Sequence, residues 1–286
     1  MVLQQTLRNT IKATGVGLHT GCEVSIVLKP APVNTGIVFR RVDCEPMVEL
    51  PARFNEVTST QLATTLSRGD TEVNTVEHLM SALSGLGIDN LYVDVETAEL
   101  PIMDGSASAF VFLIESAGVE EQDAPRRYIR VKKEIKVTDG DKFAKLSPYE
   151  GFKLSYRIHY DHPVIANTPQ AVSIELSQTR YIKEVARART FGFVKELDWL
   201  LKNNLAKGAS LENAIAIDDD RVINEDGLRY EDEFVRHKLL DAVGDLSLAG
   251  ALLAEFEGYK SGHTLNNQLL HALFADPDAF EEVTLS

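Results

Sequence analysis

Tyr230-Glu231-Asp232-Glu233-Phe234-Val235-Arg236-His237-Lys238-Leu239-Leu240-Asp241-Ala242-Val243-Gly244-Asp245-Leu246 reads as one helix. Phe234, Leu239, Leu240, Val243 and Leu246 recur at helical spacing and give it a buried face. Acids crowd its start, where the helix dipole favours them. His237, Asp241 and Asp245 lie four apart and form a polar stripe along one side. Side chains at that spacing have Cβ atoms ~5–6 Å apart, so an imidazole and a carboxylate can share one neighbour. A zinc ion takes such ligands at ~2.0–2.2 Å. An isolated HxxxD pair is more often a hydrogen bond on a helix surface, so the metal reading needs support from elsewhere in the chain.

The rest of the fold is read outward from this helix. Val76, Leu79, Met80, Leu83 and Leu86 predict an earlier helix over 74–86, with Asn74 or Thr75 as its cap and Gly85 and Gly87 at its end. Leu91–Val95 follows as a strand, and Phe110, Val111 and Ile114 mark a helix over 106–117. The order helix, strand, helix recurs at 230–247, 251–257 and 264–275. His237 follows His78 by 159 positions, and His263 follows Asp104 by the same interval. The polar run from 119 to 127 reads as a linker. The expectation is an α+β protein with two similar domains, residues 1–125 and 126–286, each with helices layered on β-sheets. A site would lie in the cleft between them. Strands are expected at Glu23–Lys29 and Gly36–Arg40. A hairpin turn is expected at Thr138-Asp139-Gly140-Asp141, and an alternating strand from Phe152 to Tyr160. Further helices are expected near 178–188 and 194–204.

The totals bound the class. With 286 residues, two domains are the natural division. A net charge of −14 argues against a general nucleic-acid binder, which would present a basic surface. Cys22 and Cys44 make neither a CxxC pair nor a disulfide framework, which suits a reducing, cytoplasmic setting. The first residues lack the apolar core of a signal peptide, and no apolar run is long enough for a transmembrane segment.

Val76-Glu77-His78 supplies a second histidine with a carboxylate beside it. Adjacent helix residues point ~100° apart. Glu77 is therefore poorly placed to join His78 on one ion, but well placed to take a proton from an attacking water. His78, His237 and Asp241 would leave a fourth zinc position open, as catalytic zinc sites do. His263 opens the last helix in Ser261-Gly262-His263-Thr264-Leu265-Asn266-Asn267. The helix dipole disfavours its imidazolium and a carboxylate such as Asp245 favours it, so a general acid and a plain capping-region histidine are both open. Arg187-Ala188-Arg189-Thr190-Phe191-Gly192-Phe193 reads from composition as a helix end with solvated arginines. The glycines of Thr14-Gly15-Val16-Gly17-Leu18-His19-Thr20-Gly21 have neither the spacing nor the following helix of a dinucleotide fingerprint. His159 and His162 read as loop residues, and His271 as a surface one.

Taken in order, six segments resemble the UDP-3-O-acyl-N-acetylglucosamine deacetylase family, zinc enzymes of lipid A synthesis in Gram-negative bacteria. They are Thr14–Gly21, Thr75–His78, Pro101-Ile102-Met103-Asp104-Gly105-Ser106, Arg187–Phe193, His237–Asp241 and Ser261–Asn267. The resemblance implies one Zn²⁺ held by His78, His237 and Asp241, with Glu77 as general base. It implies that His263 protonates the leaving amine with Asp245 as its partner, and that Thr190 helps hold the tetrahedral intermediate. Lys238 and Phe191 would contact the sugar and its surroundings, and His19 would lie on the substrate path. The family's two inserts would fall near 42–63 and 193–215. They would shape an apolar passage for an acyl chain, lined by Leu18, Leu62, Ala63, Leu197, Leu201 and Ala216.

The function expected is hydrolysis of the N-acetyl group of a UDP-linked acylated amino sugar, by a monomer. Two rivals stand beside it. A zinc peptidase lacks support because no HExxH is present. A non-enzymatic nucleotide- or lipid-binding protein with a structural metal would close its ion with four protein ligands.

Overall fold

The computed structural model describes residues 1–285. Its two halves repeat one topology. In the first, the central strand Leu91–Val95 runs antiparallel to Glu23–Pro30 and parallel to Ile37–Arg41. Ile11–Val16 and Val48–Pro51 extend that sheet on either side. In the second, the central strand Ala251–Tyr259 runs antiparallel to Lys142–Ser147 and parallel to Phe152–Arg157. Ile135–Asp139 and Ala171–Glu175 extend it in the same order. Each central strand is preceded by one helix and followed by another: Glu77–Leu86 and Ser108–Ala117, then Glu233–Leu246 and His263–Phe274. The spacing of 159 residues seen in the sequence is thus a repeat of strand order and strand direction. The second sheet also gains Arg127–Val131 and Phe280–Thr284 beside the first part of its long central strand.

The helices Glu77–Leu86 and Glu233–Leu246 pack on each other between the halves. The apolar positions read from the sequence are those that drive this. Phe234, Leu239, Leu240, Val243 and Leu246 are wholly buried, as are Val76 and Leu79. Burying a side chain of this size contributes up to ~1.5–3 kcal/mol against an extended chain. Close approach is permitted by Gly244, where a Cβ would stand 2.1 Å from the carbonyl oxygen of Glu77. At its counterpart 159 residues earlier, Gly85, the ring of Tyr181 takes up the space, and a Cβ there would stand 2.2 Å from it. Gly85 therefore sits inside its helix, and the stop is Gly87, in the left-handed region at φ 75°.

Some expectations are corrected. Val119–Pro125 is not a linker but a strand antiparallel to Leu3–Leu7. Its charges point to solvent, while the Gln122 amide reaches the Ala31 carbonyl and its oxygen accepts from Asn90. Polar composition hid a strand whose pairing is almost all backbone. Neither Asn74 nor Thr75 caps the first helix. The N-cap position is Val76, without a side-chain cap, and Thr75 is left-handed at φ 60°. Within 42–63, Val48–Pro51 is an edge strand of the first sheet, and Val57–Ser59 begins a small sheet with Thr65–Arg68 and Thr71–Val73. Within 193–215, the short helix Leu197–Lys202 lies between the parallel strands Phe191–Phe193 and Ile215–Ile217.

Gly244→Ala should force the two central helices apart. The expected cost is ~1–3 kcal/mol, as for other overpacked positions, read as a lower thermal midpoint. An unchanged midpoint would contradict the packing described.

Candidate active site

His78, His237 and Asp241 meet at the junction of the two central helices, and all three are buried. The Nε2 atoms of His78 and His237 each lie 3.4 Å from Oδ1 of Asp241. Two ligands of a tetrahedral ion with bonds of ~2.1 Å stand ~3.4 Å apart, so this spacing is that of a site ready for one metal. Asp241 Oδ1 is buried without a hydrogen-bond partner, an orphan that a cation would satisfy. Its other oxygen, Oδ2, accepts from Lys238 Nζ at 2.7 Å.

The surroundings fix the protonation this requires. A carbonyl can only accept, so the 3.0 Å contact from His237 Nδ1 to the Ala188 oxygen places the ring proton on Nδ1 and leaves Nε2 free to bind. Burial lowers the His237 pKa to about 4, which keeps it neutral. Burial opposes ionisation of Asp241, but His237 and Lys238 outweigh it and hold that carboxyl well below its usual value. The His78 ring stands edge-on to that of His237 with centroids 5.1 Å apart, and its Nδ1 is buried without a partner.

The Ala188 carbonyl is held in place by a group the sequence reading misjudged. Arg189 is not solvated. It is buried, and its Nε and Nη2 donate to the two oxygens of the fully buried Glu233 at 2.9 and 3.1 Å. Arg189 N donates to Glu233 as well. This ties the 187–190 segment to the first turn of the ligand helix. Arg187 is the exposed one and lies over the Tyr230 ring. Glu233 was visible in the sequence only as one of several acids at a helix start; nothing in spacing marked it as Arg189's partner.

Glu77 and His263 face one another beside the triad, with Oε1 and Nε2 3.8 Å apart. Burial raises the Glu77 pKa, against the charges of His263 and His78. His263 Nδ1 meets Asp245 Oδ2 at 2.8 Å. Burial alone would lower the His263 pKa, but the charge and hydrogen bond of Asp245 prevail and raise it to about 9. The structure thus places the His263 ring against the Asp245 carboxylate rather than leaving it free at the helix start.

The remaining candidates are placed with less convergence. Thr190 is pinned by its backbone, its N–H to the Gly105 carbonyl and its own carbonyl to Ile215 N–H. The Phe191 ring stands edge-on to that of His237, with centroids 6.3 Å apart. His19 lies in the 17–21 loop, which the buried Glu99 carboxylate holds through His19 N–H, Thr20 N–H and the Thr20 hydroxyl. Its Nε2 is buried without a partner. Leu18 accepts from Gly208 N–H through its carbonyl, which joins this loop to the 193–215 segment. Ala63 is buried, whereas Leu62, Leu197 and Leu201 are exposed. Leu197 and Leu201 lie four apart on their helix, and Ala216 is half-buried in its strand.

A family model described as LpxC, UDP-3-O-acyl N-acetylglycosamine deacetylase, matches residues 4–275. The chain belongs to this family. A relative from Pseudomonas entomophila (strain L48), named UDP-3-O-acyl-N-acetylglucosamine deacetylase, is 60% identical over 284 residues, covering 99% of this chain and 94% of the relative. The LpxC match spans both halves, and hence both histidines of the buried triad. Among the described residues no helix is long and apolar enough to cross a membrane.

Loss of one ligand leaves two, too few for tight binding at a site with an open position. His237→Ala and Asp241→Ala should each lower bound metal sharply in elemental analysis of purified protein. Near-stoichiometric, tightly held metal in both variants would remove the triad from consideration.

Proposed function

We infer that the chain is a UDP-3-O-acyl-N-acetylglucosamine deacetylase. It hydrolyses the N-acetyl group of that substrate to acetate and the free amine, the committed step of lipid A biosynthesis. The observation that carries the reading is the buried His78–His237–Asp241 triad beside the Glu77–His263 pair, in a chain of the LpxC family. We take the ion to be one zinc per chain. Two imidazoles, one carboxylate and an open fourth position are the donor set of catalytic zinc. We take residues 1–125 and 126–286 as two domains, the protein as a monomer, and the cytoplasm as its compartment, which suits the free Cys22 and Cys44.

An ion held by His78, His237 and Asp241 supplies a Lewis acid for the amide oxygen and lowers the pKa of water. Glu77 takes the proton from the attacking water. Burial raises its pKa, which makes it a better base than an exposed carboxylate. The Thr190 hydroxyl donates to the oxyanion that forms on the former carbonyl. His263 gives its proton to the departing nitrogen, which leaves poorly as an anion, and Asp245 keeps that imidazole charged until then. Lys238 occupies Asp241 Oδ2, so that Oδ1 alone faces the histidines, and its ammonium lies within reach of the sugar. Phe191 offers an apolar wall beside His237, and His19 stands on the path by which substrate arrives. Leu18, Leu62, Ala63, Leu197, Leu201 and Ala216 are assigned to the acyl passage.

Glu77→Gln and His263→Ala should each lower kcat by ~10²–10⁴-fold, the range of general acid–base terms, while metal content stays native. The pH–rate profile should be bell-shaped and belong to the coupled pair. The folded-state pKa of His263 lies above the ordinary 6.5. Its charged form is therefore complete at pH 6.5 and is lost as the pH rises towards about 9. The acid limb follows Glu77. Near-native turnover in either variant, or loss of metal, would overturn the assigned role.

Each buried CH₂ contributes ~0.8 kcal/mol. A substrate lacking the acyl group should lose orders of magnitude in kcat/KM, measured side by side with the acylated one. Equal values would refute the passage.

A further inference from the structure

Thr64 is buried, and every polar group it owns is spent on the site. Its N–H donates to Glu77 Oε2 at 3.0 Å. Its hydroxyl donates to Asp245 Oδ1 at 2.7 Å. Its carbonyl accepts from Val76 N–H, the residue that starts the helix bearing Glu77 and His78. The two carboxylates it holds come from opposite halves of the chain, 181 residues separating Thr64 from Asp245. Asp245 Oδ2 is occupied by His263 Nδ1 and by Asn266 Nδ2 at 2.9 Å. Without the Thr64 hydroxyl, Oδ1 of this buried carboxylate would lose the donor that fixes its plane.

We propose that Thr64 is the positioning residue that sets the gap between the base Glu77 and the acid His263. It holds Glu77 through its backbone N–H and His263 through its hydroxyl and Asp245, so one residue ties both sides of the 3.8 Å separation between Glu77 Oε1 and His263 Nε2. A displacement of ~1 Å between reacting groups costs up to ~10²-fold in rate. The hydrogen bond is also charge-assisted, the stronger kind. Thr64 directly follows Leu62 and Ala63, the residues assigned to the acyl passage, and Leu62 is left-handed at φ 62°. The backbone assigned to the acyl passage therefore leads straight into the residue that spaces the acid and the base. The inference rests on the roles given to Glu77 and His263 above.

The test is a comparison of Thr64→Val and Thr64→Ser, with kcat, KM, metal content and thermal midpoint measured on the same preparations. Valine keeps the shape and the backbone donor and removes only the hydroxyl; serine keeps the hydroxyl. Thr64→Val should lower kcat by ~10–100-fold, with KM and metal content unchanged, and Thr64→Ser should restore most of the loss. In an Asp245→Ala background, Thr64→Val should add almost nothing, because the hydroxyl acts through that carboxylate. Native kcat in Thr64→Val, an equal loss in Thr64→Ser, or full additivity with Asp245→Ala would each overturn the proposal. Glu77→Gln and His263→Ala, assayed alongside, separate the two levels. If they are impaired while Thr64→Val is not, the spacing role fails and the acid–base reading stands. If they are not impaired, the acid–base reading itself fails.

Discussion

The close crossing of two helices, one from each half, is the constraint on which the site depends. Gly244 lies against the backbone of Glu77, and no side chain separates the helices at that point. Approach this close brings His78 and His237, which occupy equivalent places in the two halves, within reach of one ion. The repeat alone would give a symmetric pair of imidazoles. Asp241 breaks the symmetry, because the equivalent position in the first half is Ala82. One carboxylate added to two histidines makes a set of three donors that could hold one ion. Glu77, Asp245 and His263 stand beside that set, with Thr64 between them.

Burial works in opposite senses on neighbouring groups there. It lowers His237 to about 4 and raises Glu77, so the first is a neutral imidazole and the second holds its proton more tightly than an exposed carboxylate. His263 feels the same burial yet ends near 9, because Asp245 is in direct contact with it. Groups of similar ordinary pKa are driven apart by which partner each has been given. The partners are themselves held: Ala188 by the Arg189–Glu233 pair, and Asp245 by Thr64 and Asn266.

Much of this was legible in the sequence, for physical reasons. The ligand helix declared itself by an apolar stripe at one period and a polar stripe at another, and both survive in the fold. The recurrence of His78 at His237 showed the duplication, because a repeated layer must place equivalent residues on equivalent faces. What was not legible rests on contacts between residues distant in the chain. Glu233 and Arg189 looked like ordinary surface charges until the fold buried them together. Val119–Pro125 looked like a linker because an edge strand held by its backbone needs no apolar alternation. Thr64 had no signal at all: a lone threonine acquires a role only when Glu77 and Asp245 arrive from two different helices.

The central claim is that a metal held between the two halves is needed to hydrolyse the amide of an acylated UDP-amino sugar. It is tested most directly by acetate release from UDP-3-O-acyl-N-acetylglucosamine. The purified protein is assayed as isolated, after exhaustive chelation, and after return of one equivalent of zinc. The account predicts release that disappears on chelation and returns with zinc. Undiminished release from metal-free protein, or none from the zinc-loaded protein, would contradict it.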